Sequence, residues 1–219
     1  MVKKSDDGRE IMNIMRAKKR LFAWMSTRSD RFNYLLYGPY KKELFRNLEG
    51  LIVEIGPGSG GNLSYLPDGV EWYGIEPNEA FHKTLLTKAE EYGIKACLVT
   101  GDATHIPLAD DTVDFILCTL VLCSVKNPSE AIHEMIRILK PNGKFIFIEH
   151  VAAPERTILR MAQEFLNPLN RFIADGCNCN RETWTPIQNA GFTHVELFHQ
   201  NVTGAMKIHT PHIMGYAVK

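Results

Sequence analysis

No stretch of this chain holds the roughly 18–20 uninterrupted apolar residues that a bilayer-spanning helix needs. The residues MVKKSDDGRE also lack the apolar centre of a secretory leader. Neither sign of charge is in excess, with 25 Lys and Arg facing 25 Asp and Glu. A general nucleic-acid binder draws its affinity from surplus cations, so no nucleic-acid partner is expected. Cysteine is scarce and odd in number, five in 219 residues. A chain of this size needs no covalent staples, so free thiols in a reducing, cytoplasmic compartment are expected. Internal repeats and low-complexity tracts are missing too. What remains is ordinary globular composition, 45% hydrophobic and 23% charged, which excludes disorder, collagen and coiled coil and fits one sizeable core in a monomer.

The charge that is there is unevenly placed. Residues 1–50 carry 12 Lys and Arg against 6 Asp and Glu, and the remainder carries 13 against 19. Residues 9–26 set Ile11, Ile14, Met15, Leu21, Phe22 and Met25 at helical spacing, with Arg16, Lys19 and Arg20 elsewhere on the wheel. Two readings are open: a helix capping the core, which an apolar stripe favours, or a lid in peripheral contact with a membrane surface. A second short helix over 40–48 is expected after Gly38-Pro39. Residues 1–48 therefore form an N-terminal helical segment and 49–219 the main domain. From residue 51 short apolar runs alternate with helical ones. Strands are expected at 51–55, 71–75, 95–99, 113–118, 144–149, 193–199 and 212–218, and helices at 60–66, 79–92, 128–139, 155–166 and 181–190. This is the pattern of an α/β, doubly wound, mostly parallel seven-stranded sheet with an antiparallel edge strand.

Where the first strand ends, VEIGPGSGG places Gly56, Gly58 and Gly60 so that a ligand approaches bare backbone near a helix start. Alone this is a weak sign, because Gly56-x-Gly58-x-x-Gly61 also satisfies the dinucleotide fingerprint and admits a nicotinamide-dependent oxidoreductase. Three acids sharpen it. Glu54 lies inside the first strand. Glu76, followed by Pro77 in GIEPN, ends the second strand, where a carboxylate can accept from both hydroxyls of a ribose. Asp102 follows the third strand in GDATHIP and can accept from an adenine amine, with Ala103 offering a backbone donor. Together they describe a pocket for an adenosine that carries an amino group and no pyrophosphate.

The ExGxGxG run, the acidic end of the second strand, the GDA turn, DFILCTLVLCSV and KPNGKFIF resemble the class I S-adenosylmethionine-dependent methyltransferases over residues 50–150. CTLVLCSV, EHVA, DGC, RETW and PHIMGYAVK are similar to the thiol S-methyltransferases of the methyltransferase-like group, which methylate hydrogen sulfide and alkyl thiols. Those proteins typically begin with an apolar anchor, which is missing from these residues. The resemblance implies S-adenosylmethionine as cofactor, with Glu54, Gly56, Gly58 and Gly60 around its methionine part, Glu76 on the ribose, Asp102 and Ala103 on adenine, and Thr119 near the sulfonium. Related enzymes methylate quinones, phenols or lipid amines, and a binding scaffold without catalysis is a further alternative.

Methyl transfer from a sulfonium is an in-line displacement, so positioning and exclusion of water can supply much of the catalysis. In an open α/β sheet the crevice lies outside the carboxyl ends of the strands. That rule delivers Cys123, His150 and Asp175 to the small-molecule acceptor, with His150 the first candidate base and His212 the second. Tyr37 and Tyr40 are candidates to fold over the methionine end, with core packing as the alternative, and Trp184 is a candidate acceptor wall or core residue. Cys177-Asn178-Cys179 and His209-x-x-His212 lack the paired spacing of structural zinc sites, so no metal is expected.

Overall fold

The computed structural model describes residues 4–203 and 206–219. The side chains of residues 4–8 and 11 lie outside the description, Ile11 of the expected stripe among them. Two helices come first, α1 (Lys4–Arg28) and α2 (Asp30–Leu44). Then follow β1 (Leu51–Ile55), β2 (Glu71–Ile75), α3 (His82–Glu91), β3 (Lys95–Val99), β4 (Val113–Thr119), α4 (Pro128–Ile138) and β5 (Leu139–His150). The chain finishes with α5 (Ile158–Ile173), α6 (Trp184–Gln188), β6 (His194–Asn201) and β7 (Pro211–Val218).

All seven strands join one sheet in the order β3-β2-β1-β4-β5-β7-β6. Strands β1 to β5 run parallel, and β7 is antiparallel to both β5 and β6. The antiparallel strand is thus inserted one place in from the edge, and β6 forms the edge itself. Connections reverse direction between β1 and β4, the switch point at which open α/β sheets hold their ligands.

Strand alternation divides the core between two faces. Val53, Ile55, Ile116, Cys118, Phe145 and Phe147 pack with Ile132 and Met135 of α4 on one face. Ile52, Leu117 and Ile146 pack with Phe45, Leu48, Phe81 and Leu85 on the other. Asn127 accepts from Glu130 N and Pro128 opens α4, a start that leaves few donors unsatisfied.

Several elements depart from expectation for identifiable reasons. The helix expected at 60–66 is a single short turn over Leu63–Tyr65, because Gly60 sits at φ 79 and interrupts the helical path. Gly38-Pro39 does not break the chain; Pro39 lies inside α2. Instead, α2 runs from Asp30 to Leu44 in place of the short helix over 40–48.

The N-terminal helices cover the switch point. Lys19 Nζ donates to Pro77 O, Asn78 Nδ2 donates to Lys19 O, and Phe22 meets Phe81 edge-on with ring centres 6.2 Å apart. Much of the apolar side of α1 remains outward, with Ile14, Met15, Leu21 and Trp24 exposed. Helix α5 is inverted relative to an ordinary crossover helix. It buries Gln163, whose Oε1 accepts from Ala153 N and whose Nε2 donates to Val151 O and Ile208 O. It presents Ile158, Met161, Phe165, Leu169, Phe172 and Ile173 outward, Phe165 at 85% exposure. Lys18 of α1 stands 4.8 Å over the Phe172 ring and joins the two exposed faces.

Candidate active site

A cavity of about 540 Å³ opens at the carboxyl ends of β1, β2 and β4 under α1 and α2. Gly56 turns at φ 60 with its N–H donating to Ile75 O. A Cβ added there would stand 2.7 Å from Val121 Cγ2, so no larger residue fits. Gly58 turns at φ 55, and its N–H donates to Glu76 Oε2 at 2.9 Å. The other oxygen, Oε1, accepts from Asn78 N at 2.7 Å. Burial pushes the Glu76 carboxyl up against the pull of those two backbone donors.

Glu54 is wholly buried one strand away, accepting from Trp72 Nε1 at 2.8 Å and Asn62 Nδ2 at 2.9 Å. Burial raises its carboxyl to about 7, opposed by the Trp72 hydrogen bond and the nearby Lys41 charge. Lys41 is lowered to about 8 by burial, opposed by the charges of Glu54 and Asp30, and its ammonium donates to Gly61 O at 2.9 Å. Asn62 Nδ2 also donates to Thr119 Oγ1, while its buried Oδ1 finds no donor among the described residues. Asp102 uses Oδ1 to accept from Thr104 N and Oγ1.

The cavity brings together Glu54, Gly56, Gly58, Glu76, Pro77, Asp102, Ala103, Thr119, Tyr37 and Asp175 of the residues singled out in the sequence. It does not include Gly60, whose missing Cβ points at Leu63 Cδ1 and Leu85 Cδ2, 3.0 and 3.2 Å away, so this glycine serves packing. Tyr40 packs behind the sheet near Ile148 and Met214 and borders a second cavity. Trp184 packs against the core with its ring edge-on to His199, 5.2 Å away. Lys41, Asn62, Asp30, Asn33 and Phe22 line the cavity without having been singled out.

His150, His212 and Cys123 also lie off the cavity surface, behind its wall. The wall is the segment after β4, where Leu120 takes φ 60, an uncommon conformation for a branched side chain. Glu149 Oε1 fastens this segment by accepting from Val121 N and Leu122 N at 2.9 and 3.1 Å. Behind it, His212 Nδ1 faces Thr210 O at 3.0 Å. A carbonyl only accepts, so Nδ1 carries the proton and Nε2 accepts from Tyr37 Oη at 2.9 Å. Burial lowers His212 to about 4, which keeps the imidazole neutral in this role. His150 Nε2 stands 2.9 Å from Cys177 Sγ instead. Cys123, His150 and Cys177 place one donor atom each within 4.8 Å of one another, a juxtaposition invisible to a search for paired local spacings.

The set of groups fits an adenosyl sulfonium carrying an amino acid: uncommitted carboxylate lone pairs at two strand ends, an orphan amide oxygen, a buried ammonium and a glycine turn that a Cβ would fill. Comparison with known proteins agrees. A family model described as a methyltransferase domain matches residues 53–147. The chain is 38% identical over 191 residues to the human thiol S-methyltransferase TMT1A, covering 82% of this chain and 78% of that protein. It is 36% identical over 190 residues to the rat thiol S-methyltransferase TMT1B, with the same coverage of 82% and 78%. A crystal structure of an S-adenosylmethionine-dependent methyltransferase from Aquifex aeolicus superposes with a TM-score of 0.58 at 18% identity, covering 85% of this chain and 92% of that one, which speaks to the fold alone. The chain belongs to the thiol S-methyltransferase family and is an S-adenosylmethionine-dependent methyltransferase.

Proposed function

We propose that this enzyme binds S-adenosylmethionine in the cavity beneath α1 and α2 and transfers its methyl group to the sulfur of a small, rather apolar thiol. When bound, the cofactor supplies a methyl carbon activated by its positive sulfur. Glu76 holds the ribose through lone pairs left over from its two backbone donors. Asp102 meets the adenine amine through Oδ2, which makes no hydrogen bond among the described residues. Glu54, Asn62 and Lys41 take the amino-acid end, the first two facing its ammonium and Lys41 its carboxylate. Gly56 and Gly58 let the backbone approach.

The observation that carries the thiol reading is the acceptor wall. Leu120, Val121 and Val125 give it an apolar patch beside Ser124 and Lys126, and neither histidine lines the cavity. A free thiol has a pKa of roughly 8.5, so part of it is already thiolate at neutral pH and asks for little base. Oxygen and nitrogen acceptors would ask for more. Tyr37, with its proton committed to His212, keeps oxygen lone pairs with which to accept from a thiol S–H and orient it. With the cofactor held there, a thiol that gives its proton to solvent would take the methyl group at sulfur as the carbon–sulfonium bond breaks, leaving a thioether and the demethylated cofactor.

The same reading includes a membrane contact. Helix α1 carries seven Lys and Arg against three Asp and Glu, and the outward apolar faces of α1 and α5 adjoin through Lys18 and Phe172. A basic and apolar surface of this kind suits an anionic lipid interface. The surface is broader than residues 9–26, because α5 adds six exposed apolar side chains to it. A cytoplasmic location is supported by the five free cysteines, four of them buried.

Five outcomes are expected. Replacing Glu76 by Ala removes charged acceptors worth about 1.5–3 kcal/mol each, so S-adenosylmethionine affinity measured by calorimetry should fall about 100-fold, and Glu76→Gln should lose about tenfold; unchanged affinity in both would refute the ribose assignment. Cofactor affinity should peak between about pH 7 and 8, because Glu54 must lose its proton and Lys41 must keep one, and should drop by up to about tenfold per pH unit on either side; a flat profile from about pH 6 to 9 would contradict it.

In turnover assays that follow thioether and demethylated cofactor, hydrogen sulfide or an alkyl thiol should react with higher kcat/KM than phenols, quinones or amines. Tyr37→Phe should lower thiol kcat/KM about tenfold with cofactor affinity within about twofold. Faster methylation of phenols or amines would overturn the choice of thiol. Finally, the protein should co-sediment with vesicles containing phosphatidylserine and release at high salt, and Phe165→Glu with Phe172→Glu should abolish sedimentation. Equal sedimentation of wild type and double variant would remove α5 from the contact.

A further inference from the structure

Methyl transfer as described uses neither the cysteines nor His150 and His209 behind the acceptor wall. Cys123 lies in the segment after β4, His150 ends β5 and Cys177 follows α5, and all three side chains are buried. Their donor atoms lie within 4.8 Å of one another. Asn170 Nδ2 donates to Cys177 O at 2.8 Å and faces its Sγ at 3.3 Å, which fixes the position of that sulfur. The His209 ring lies 4.7 Å from the His150 ring, centre to centre. Two buried ring nitrogens here, His150 Nδ1 and His209 Nε2, have no hydrogen-bond partner among the described residues.

Packing accounts for part of this cluster. A buried free cysteine behaves as a small hydrophobe, which suffices for Cys118 and Cys179. It does not account for His150 set against Cys177 and beside His209 with one nitrogen of each ring left unpartnered, since a buried polar atom without a partner costs free energy that a purely structural cluster would avoid.

We propose that Cys123, His150 and Cys177 bind a single thiophilic divalent cation, zinc in the first instance, with the adjoining His209 completing a tetrahedral set. Zinc–sulfur bonds of about 2.3 Å and zinc–nitrogen bonds of about 2.0 Å put tetrahedral ligand atoms roughly 3.4–3.8 Å apart. The donors here are already close to that, and binding would draw the wider pairs in and part the His150–Cys177 contact slightly. Two sulfurs and imidazole nitrogen are the donor set that selects zinc over magnesium or calcium. His150 Nε2 already stands 2.9 Å from Cys177 Sγ. Two of the three donors, Cys123 and Cys177, come from segments that also supply Leu120, Val121, Ser124 and Asp175 to the cavity, so the ion would fix the acceptor wall from behind.

The test uses the full chain, reduced with a non-chelating phosphine and stripped of metal by a chelator. Zinc added back in competition with a chromophoric chelator should bind at one equivalent per chain and raise Tm by several degrees. Cobalt(II) in its place should show the visible bands of a tetrahedral site and thiolate-to-metal charge transfer in the near ultraviolet. Cys177→Ser should weaken zinc at least about 100-fold, whereas Cys97→Ser, at an exposed cysteine on β3, should change nothing. Any of three results overturns the proposal: no stoichiometric uptake and no cobalt spectrum in the wild type, uptake that survives Cys177→Ser, or a Cys123–Cys177 disulfide by mass spectrometry whose reduction leaves no metal affinity. The cobalt spectrum of the wild type decides the matter even where a variant fails to fold.

Discussion

The site depends on one buried carboxylate. Glu76 accepts from Gly58 N with one oxygen and from Asn78 N with the other, and so ties the turn after β1 to the turn after β2 across the switch point. Burying a carboxylate is costly unless hydrogen bonds compensate, and two backbone donors supply that compensation here. Glu54 on the adjacent strand meets the same constraint with an indole and an amide. The charge of Glu76 adds to the burial that raises the Glu54 carboxyl, so two carboxylates persist side by side because each has donors of its own. The result is a cavity floor of negative potential with unused lone pairs, which favours a ligand bearing hydroxyls and positive charge.

Those acids were legible in the sequence because their placement is local. A strand end followed by glycines, GIEPN or GDAT fixes where a carboxylate goes within a few residues, and the parallel register brings the three ends together. The lid was not legible in the same way. Lys41 reaches Gly61 O only because α2 continues through Pro39, and a Gly-Pro pair in sequence argues for a break. Asn62 lies in a turn where polar residues are common, so nothing marks it until its amide is seen bridging Glu54 and Thr119. Gly60 shows the opposite limit. Spacing puts it in the loop, but the direction of its absent Cβ, toward Leu63 and Leu85, belongs to tertiary packing.

The strand-end rule also brought His150 and His212 to the right end of the sheet without saying on which side of the wall they lie. His150 and His212 are cross-strand partners of β5 and β7. Residues 119–122 overlie that end of the sheet, held down by Glu149, the residue immediately before His150. Successive strand residues point to opposite faces, so Glu149 and His150 serve different neighbourhoods although adjacent in sequence. One shapes the wall; the other sits behind it among sulfurs contributed 27 residues upstream and 27 downstream. No local pattern announces a cluster spaced so evenly and so far apart.

Helix α5 poses the last constraint. Its anchor to the protein is polar, through Gln163 and three backbone groups, and its apolar residues face away. An amphipathic helix oriented in this sense does not lower its free energy by folding onto its own sheet, because the area that would repay burial stays in water. The orientation suits the membrane contact proposed for this surface, and the neighbouring α1 adds cations and further apolar side chains to it. Because α1 also carries Lys19 and Phe22 into the cavity roof, whatever covers this surface bears on the lid as well. A lipid interface reached through α1 and α5 would thus present an apolar thiol from the phase in which it dissolves while holding the roof over the cofactor.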